Sequence, residues 1–500
     1  MKRIFLCAIL SGGIVFVGKN EVMAQSQMNR AAYFLEGISV RHELNPAWMS
    51  EKGYVSMPGL GNLSVGAQGT AGIGDFLFVK SNGGLMTFMH EEVDRKAFLN
   101  GLPKRVKIGL ELNESLLSAG FYAWGGFNTL GLSIKSHANV SVPDQLFRFM
   151  KNGVDIPEGS HYSVDNLHLM TVNYAEIALG HARQINEKWT VGVKTKLLVG
   201  LARATVKIDH LDIEATPYAW KITPSGAQAY VSAKGLSVPT RGETGHYDSS
   251  DYELDANGNR TDKLKPGAGQ LISYDDLSFE SRKMRPTGVG LAFDGGATFR
   301  WNENWTFSAA LLDVGFIRWE NTVKADMNHA FEFEGFHEIP IKSEQGGEDP
   351  NAIGQQGARV GDDLKQMAKF TKEGEGLKQT TALAATLHWG AEYTLPVYRH
   401  LKMGFLSTSR FQGRHSWTEA RISANVSPLS WFEASLNYAL SNFGSSTGLM
   451  LNFHPEGFNF FVAADVPMGK YTPKYWIPIN RFSANVNLGI NFSFGPKHKP

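Results

Sequence analysis

The chain has 500 residues, and its 49 basic and 48 acidic side chains leave a net charge of +1, which provides no electrostatic footprint for nucleic acid. With 53 glycines, 31 phenylalanines and only 19% charged residues, the composition suits many strands with apolar outward faces and glycine-rich turns. The single cysteine, Cys7, excludes any disulfide framework.

Residues 1–24 read as a secretory signal peptide. Lys2 and Arg3 precede the apolar run "IFLCAILSGGIVFVG", and Val22-Met23-Ala24 supplies a cleavage site before Gln25. Cys7 lies near the start of that run, where a lipid anchor has no use for it, so the mature chain would carry no thiol for catalysis or metal binding. No later segment approaches the ~18 consecutive apolar residues of a spanning helix. The remaining choices are a soluble exported protein and a β-barrel. Residues 25–52 form a separate N-terminal segment, periplasmic or inserted in the lumen; residues 53–495 form the barrel and 496–500 a tail.

From Gly53 onward, period-two alternation recurs in segments close to the length of a tilted transmembrane strand. Strands are expected at 54–69, 115–124, 129–139, 167–182, 189–207, 287–300, 305–319, 380–394, 401–411, 416–426, 431–441, 447–454, 457–466 and 483–494. That makes an all-β, antiparallel transmembrane barrel of about fourteen strands. The region 70–114 is ambiguous, with room for two more strands. In "NVNLGINFSF", Val486, Leu488, Ile490, Phe492 and Phe494 alternate with asparagine, glycine and serine, giving a lipid face and a lumen face. By the same alternation Glu176, Lys194, Lys196, Asp294, Glu419, Arg421, Glu433 and Asp465 face the lumen, where they either pair across strands or line a solute path. In "WTFSAALLDVGF" the apolar face switches after Leu311, so Asp313 points the wrong way unless a bulge intervenes.

Connections fall into two alternating classes. Short ones lie near 125–128, 185–188, 302–304, 396–400, 428–430 and 454–457; longer or more variable ones lie at 140–165, 209–285, 320–378, 412–416, 442–446 and 467–482. An outer-membrane barrel sorts its loops this way, with tight periplasmic turns and extended outer loops. Trp124, Trp189, Trp301, Trp305 and Trp431 flank short turns, as a membrane girdle requires, and Trp319 is placed at the opposite girdle.

Candidate chemistry is sparse. Gly444-Ser445-Ser446-Thr447-Gly448 matches G-x-S-x-G but joins two alternating segments, so it reads as a hairpin rather than a strand-to-helix nucleophile turn. Asn257-Gly258 reads as a tight turn, with a nonstandard calcium site among Asp248, Asp251, Asp255 and Asp262 as the sharper alternative. Short amphipathic helices are expected at 142–153 and 360–372, each packing over the barrel mouth or meeting a partner. No cofactor, metal or catalytic residue is implied.

The stretch "LEGISVRHELNPAWMSEKGYVSMPGLGNLSVGAQG", with "YAEIALGHARQINEKWTVGVKTKLLVGL" and "LLDVGFIRW", resembles a family of Bacteroidetes outer-membrane proteins of unknown function. Asn45-Pro46-Ala47 also resembles the N-terminal segment of fatty-acid-transporter-like barrels, including barrels of protein secretion. The resemblance implies fourteen strands around an N-terminal hatch containing Asn45, Pro46 and Ala47. It also implies either passage of hydrophobic or small solutes across the outer membrane, or anchoring of a protein partner by the long outer loops. A wholly apolar conduit for free fatty acids is not evident in the strands. The sequence departs from the common barrel pattern in following its last aromatic, Phe494, with "GPKHKP".

Overall fold

The computed structural model describes residues 22–23, 29–79, 85–153, 159–216, 220–248, 251–255, 260–283, 285–327, 331–333, 369–472 and 478–498. Fourteen antiparallel strands close into a barrel. In chain order they are β1 (Gly53–Ser56, resumed as Leu63–Gly69), β2 (Arg105–Ala123), β3 (Gly126–Pro143), β4 (Ser160–Gln184) and β5 (Trp189–Ala215). Then come β6 (Gly288–Arg300), β7 (Trp305–Met327), β8 (Thr371–Leu383 and Ala385–Thr394), β9 (Leu401–Phe411) and β10 (Trp417–Leu429). The last four are β11 (Phe432–Ser441), β12 (Gly444–Phe453), β13 (Asn459–Met468) and β14 (Phe482–Phe494). β1 pairs with both β14 and β2, so the sheet closes on itself. Among the described residues no helix is long and apolar enough to cross a membrane.

Alternation sorts the wall as the sequence leads one to expect. In β14, Val486, Phe492 and Phe494 are exposed on the outside, while Asn487 and Asn491 are fully buried within. Val289, Leu291 and Phe293 of β6 and Leu436, Tyr438 and Leu440 of β11 extend the same exposed apolar belt. Such a belt on a closed barrel is the mark of a transmembrane wall.

Short turns gather at one end. Trp124 and Gly125, both at positive φ, form a two-residue turn between β2 and β3, so Trp124 sits in the turn itself. Asn186 accepts hydrogen bonds from Lys188 N and Trp189 N, and Asn302 does the same for Asn304 N and Trp305 N. At the other end loops 412–416 and 442–446 prove as tight as the short class: Ser441 already pairs with Gly444. The G-x-S-x-G stretch is therefore strand throughout, not the hairpin loop expected of it, and the turn is made by Asn442 and Phe443 before it.

The bulge at Asp313 is present. Its φ is +63°, and the β6–β7 register shifts between Phe293 and Gly295. The extra residue puts Val314, Phe316 and Arg318 outside and turns Asp313 inward. It also corrects the expectation for Trp319: past the bulge odd positions face inward, so Trp319 is fully buried, donates its indole N–H to Thr381 and belongs to no girdle.

Several strands run farther on the long-loop side than their alternation suggested. β4 and β5 continue to Ser160 and Ala215, and an additional strand, Trp220–Ala233, pairs with β5 and β7 beyond the start of β6. These extensions pack Phe149, Ile208, Ile213, Ile272 and Met327 into a core of their own. The region 70–104 holds a small hairpin, Leu77–Val79 with Leu85–Thr87, and helix α1 (Arg95–Gly101), capped by Asp94. Helix α2 (Asp144–Asn152) matches the amphipathic stretch at 142–153. Of the stretch 360–372, residues 360–368 lie outside the described residues; Thr371 and Lys372 begin β8 instead of ending a helix.

Candidate functional site

The N-terminal segment runs through the barrel interior. Ala32, Tyr33, Leu35, Ile38, Val40 and Leu44 are at most 1% exposed and pack against Tyr54, Phe127, Leu406, Met450 and Phe461 on the inner wall. These inner-wall residues went unnoticed in the sequence; their signal was an apolar side chain at a lumen position, as with Phe461 between outward-facing Phe460 and Val462.

Asn45-Pro46-Ala47 forms a tight turn. Asn45 Oδ1 accepts the Ala47 N–H at 2.9 Å, Trp48 N donates to Asn45 O at 2.9 Å, and proline supplies the φ that the second position of a type I turn prefers. Asn45 Nδ2 donates to Tyr33 Oη and to the Ala309 carbonyl of β7, and Tyr33 Oη donates to Ser308. The turn sits flush against the wall because Gly192 and Gly296 have no side chain: a Cβ at Gly296 would collide with Asn45, and one at Gly192 with the Pro46 carbonyl.

The charged lumen residues are all 6% exposed or less and fall into separate groups. Lys196 meets Asp294 at 2.8 Å and Asp313 closely, with Glu176 at 3.9 Å; Glu176 is held in turn by Lys135 at 2.9 Å. Lys194 lies instead against His42 of the N-terminal segment, donating to its carbonyl at 3.2 Å. These residues enclose a cavity of about 40 Å³, room for a few waters and for no hydrophobic solute. Across the lumen Arg421 bridges Glu419 at 3.0 Å and Asp465 at 2.9 Å, and Arg30 of the N-terminal segment grips Glu419 with two 2.8 Å hydrogen bonds. Glu433 accepts from Gly37 N and from Asn452. Each group thus has partners on the wall, on the N-terminal segment, or on both.

At the short-turn end Trp124, Trp189, Trp301 and Trp431 are exposed, and Trp305 is half-buried between Phe307 and Tyr393. The tail folds back there: Lys497 pairs with Glu51 at 2.6 Å and the His498 ring stacks on Tyr122 at 3.8 Å. Val22–Met23, within the stretch read as a leader, pairs parallel to Ala382–Leu383.

At the long-loop end the hairpin and α1 form an apolar groove of about 600 Å³ that the sequence left unassigned. Leu77, Phe78, Met86, Phe98 and Leu102 line it together with Ile479 from the β13–β14 loop. Behind them Phe88 and Phe98 stack at 4.8 Å, and Phe147 of α2 closes the cluster. Asp75, Glu92 and Asp94 stand in the same lining. Burial raises the Asp75 carboxyl above its ordinary value, although its Oδ2 accepts N–H groups from Gly72 and Asn480 at 2.8 Å each.

Two of the four candidate calcium aspartates have other employment. Asp248 and Asp251 both engage Arg241, and Asp251 also takes Lys369 at 2.8 Å. Among the described residues no cluster of three or more histidine, cysteine or acidic side chains is arranged for a metal ion. Asn257-Gly258 lies outside the described residues.

Fold and interior together define a transmembrane β-barrel whose lumen is occupied by its own N-terminal segment. The chain belongs to a family of unknown function, DUF5723, whose model matches residues 46–465. No curated protein matches it. Similar solved structures include the toluene transporter TbuX of Ralstonia pickettii (9% identity, TM-score 0.38, 96% of each chain covered). Another is the toluene transporter TodX of Pseudomonas putida (8% identity, TM-score 0.39, 96% of this chain and 99% of that one). A third is a FadL homologue from Pseudomonas aeruginosa (9% identity, TM-score 0.39, 95% of this chain and all of that one, 100%).

Proposed function

We propose that this protein is an outer-membrane barrel that captures hydrophobic small molecules at its long-loop end and passes them inward, with residues 29–50 acting as a hatch that seals the lumen to ions. In this reading the short-turn end is periplasmic, the turn-flanking tryptophans Trp124, Trp189, Trp301, Trp305 and Trp431 form the inner girdle, and Asn45-Pro46-Ala47 is the turn on which the hatch docks. The paired lumen charges hold hatch to wall.

The observation that carries the proposal is the groove: about 600 Å³ of mainly apolar lining, built by loops above the belt and large enough for a drug-sized ligand. Exposed apolar surface has a solubility cost and marks a contact of some kind, and the concave shape of this one favours a small ligand. The test is uptake of a neutral hydrophobic fluorophore by proteoliposomes carrying the wild type or a Phe78→Gln/Met86→Gln variant, both positions being half-buried. The variant should fall toward the empty-vesicle rate. Equal uptake by the two proteins would remove the groove from the pathway.

A further inference from the structure

We infer that the outer groove selects by charge, admitting neutral and cationic hydrophobic molecules and rejecting carboxylates, free fatty acids included. This rests on the groove being the ligand site, and goes beyond it in naming the class of ligand.

Among the described residues the lining contains three carboxylates, Asp75, Glu92 and Asp94, and neither lysine nor arginine. Two of the three are fixed in place: Asp75 by the N–H groups of Gly72 and Asn480, and Asp94 by Ala97 N at 2.6 Å as the cap of α1. Those donors are neutral amides, so they orient the carboxylates without cancelling their charge; Lys151 of α2 acts on Asp94 from outside the lining, its Nζ committed to the His90 carbonyl at 2.8 Å. Glu92 is exposed beside them, two residues before Asp94. An alkyl chain seated on Phe78 and Phe98 would therefore hold its head group among like-charged oxygens if that head were a carboxylate, with no lining cation to pair it. An unpaired anion leaving water loses hydration and regains nothing. An ammonium head gains what the carboxylate loses, and a hydroxyl is nearly indifferent. The short-turn cavity of about 330 Å³ offers a contrast within the same molecule, because there Lys52 and Lys497 stand among Glu36, Glu51 and Glu456. Exclusion of anions is a property of the outer groove rather than of every opening in the barrel.

The experiment uses full-length protein in nanodiscs with a groove-bound neutral fluorophore, displaced by three probes of equal chain length: dodecanol, dodecyltrimethylammonium and dodecanoate. Empty nanodiscs and the Phe78→Gln/Met86→Gln variant set the blank. The expected order of displacement is ammonium, then alcohol, then carboxylate, with the spread shrinking as salt is added. Glu92→Gln with Asp94→Asn, which keeps a capping side chain at position 94, should weaken the ammonium about fivefold, strengthen the carboxylate about fivefold and leave the alcohol within about twofold. Dodecanoate binding as tightly as dodecanol in the wild type, or a double variant that moves all three probes together, would overturn the inference while leaving the groove as a ligand site. A fluorophore signal no greater than the blank would overturn the reading of the groove itself.

Discussion

Arg30 ties the N-terminal segment to the wall through a two-point ion pair with Glu419, so Arg30→Met should open the lumen. Two hydrogen bonds of 2.8 Å join it to Glu419, whose side chain is 2% exposed, and its guanidinium lies 5.0 Å from the Trp417 ring. Removing one partner of a fully buried pair costs about 3–5 kcal/mol. Here Glu419 keeps Arg421, and the Arg30 side chain is 15% exposed, which brings the expected cost to about 2 kcal/mol. Methionine preserves most of the packing volume, so the loss falls on docking rather than on barrel assembly. At 1.4 kcal/mol per factor of ten, the undocked population should rise about thirtyfold. Planar-bilayer recordings read this directly, as the fraction of time a single barrel conducts. Arg399→Met is the control, since the Arg399–Glu303 pair is exposed and 3.4 Å long at a short turn. If Arg30→Met conducts no more than the wild type, or if both variants conduct alike, the segment is not held as described.

Gly296→Val should act similarly by overpacking, at about 1–3 kcal/mol, because the added side chain meets Asn45 and Pro46; Gly295→Val, with nothing within 4 Å of its Cβ, should leave conductance unchanged. In the outer loops Asp251 titrates low: burial would raise it, but the ties to Lys369, Asp248 N and Arg241 prevail and hold its carboxyl below the ordinary 3.8. The stability this provides is complete above that value and is lost as pH falls below it, so protease protection of residues 241–276 should fail only in strong acid, whereas Asp251→Asn should remove protection at neutral pH. Deleting residues 497–500 removes a part-exposed ion pair, one ring contact and the hydrogen bond from His498 N to Glu51 O, together worth about 1–2 kcal/mol, so melting should move little while amide exchange at residues 50–52 quickens.

The belt was legible because lipid outside and polar side chains inside impose a strict period of two; β14 and the Asp313 bulge were both readable from that rule. Trp319 was misplaced because the consequence of the bulge was not carried six residues further along β7. Strand ends beyond the belt were missed because no lipid enforces alternation there: residues 208–215 and 322–327 pair with an extra strand and pack under loops. The buried turn was visible as Asn-Pro-Ala, but the wall it packs against was not, since Gly192 and Gly296 make a flat surface only when β5 and β6 lie side by side. The outer groove was hidden for a related reason, as Phe78 and Phe98 of the β1–β2 connection meet Ile479 of the β13–β14 loop with no shared period.

The central claim is that a barrel sealed to ions passes hydrophobic molecules, and one preparation tests both halves. Vesicles carrying the wild-type protein and loaded with calcein are exposed to a neutral hydrophobic fluorophore while both signals are followed. Fluorophore entry should rise with protein content while calcein stays inside. Entry no faster than in empty vesicles, or calcein escaping at a comparable rate, would contradict the account.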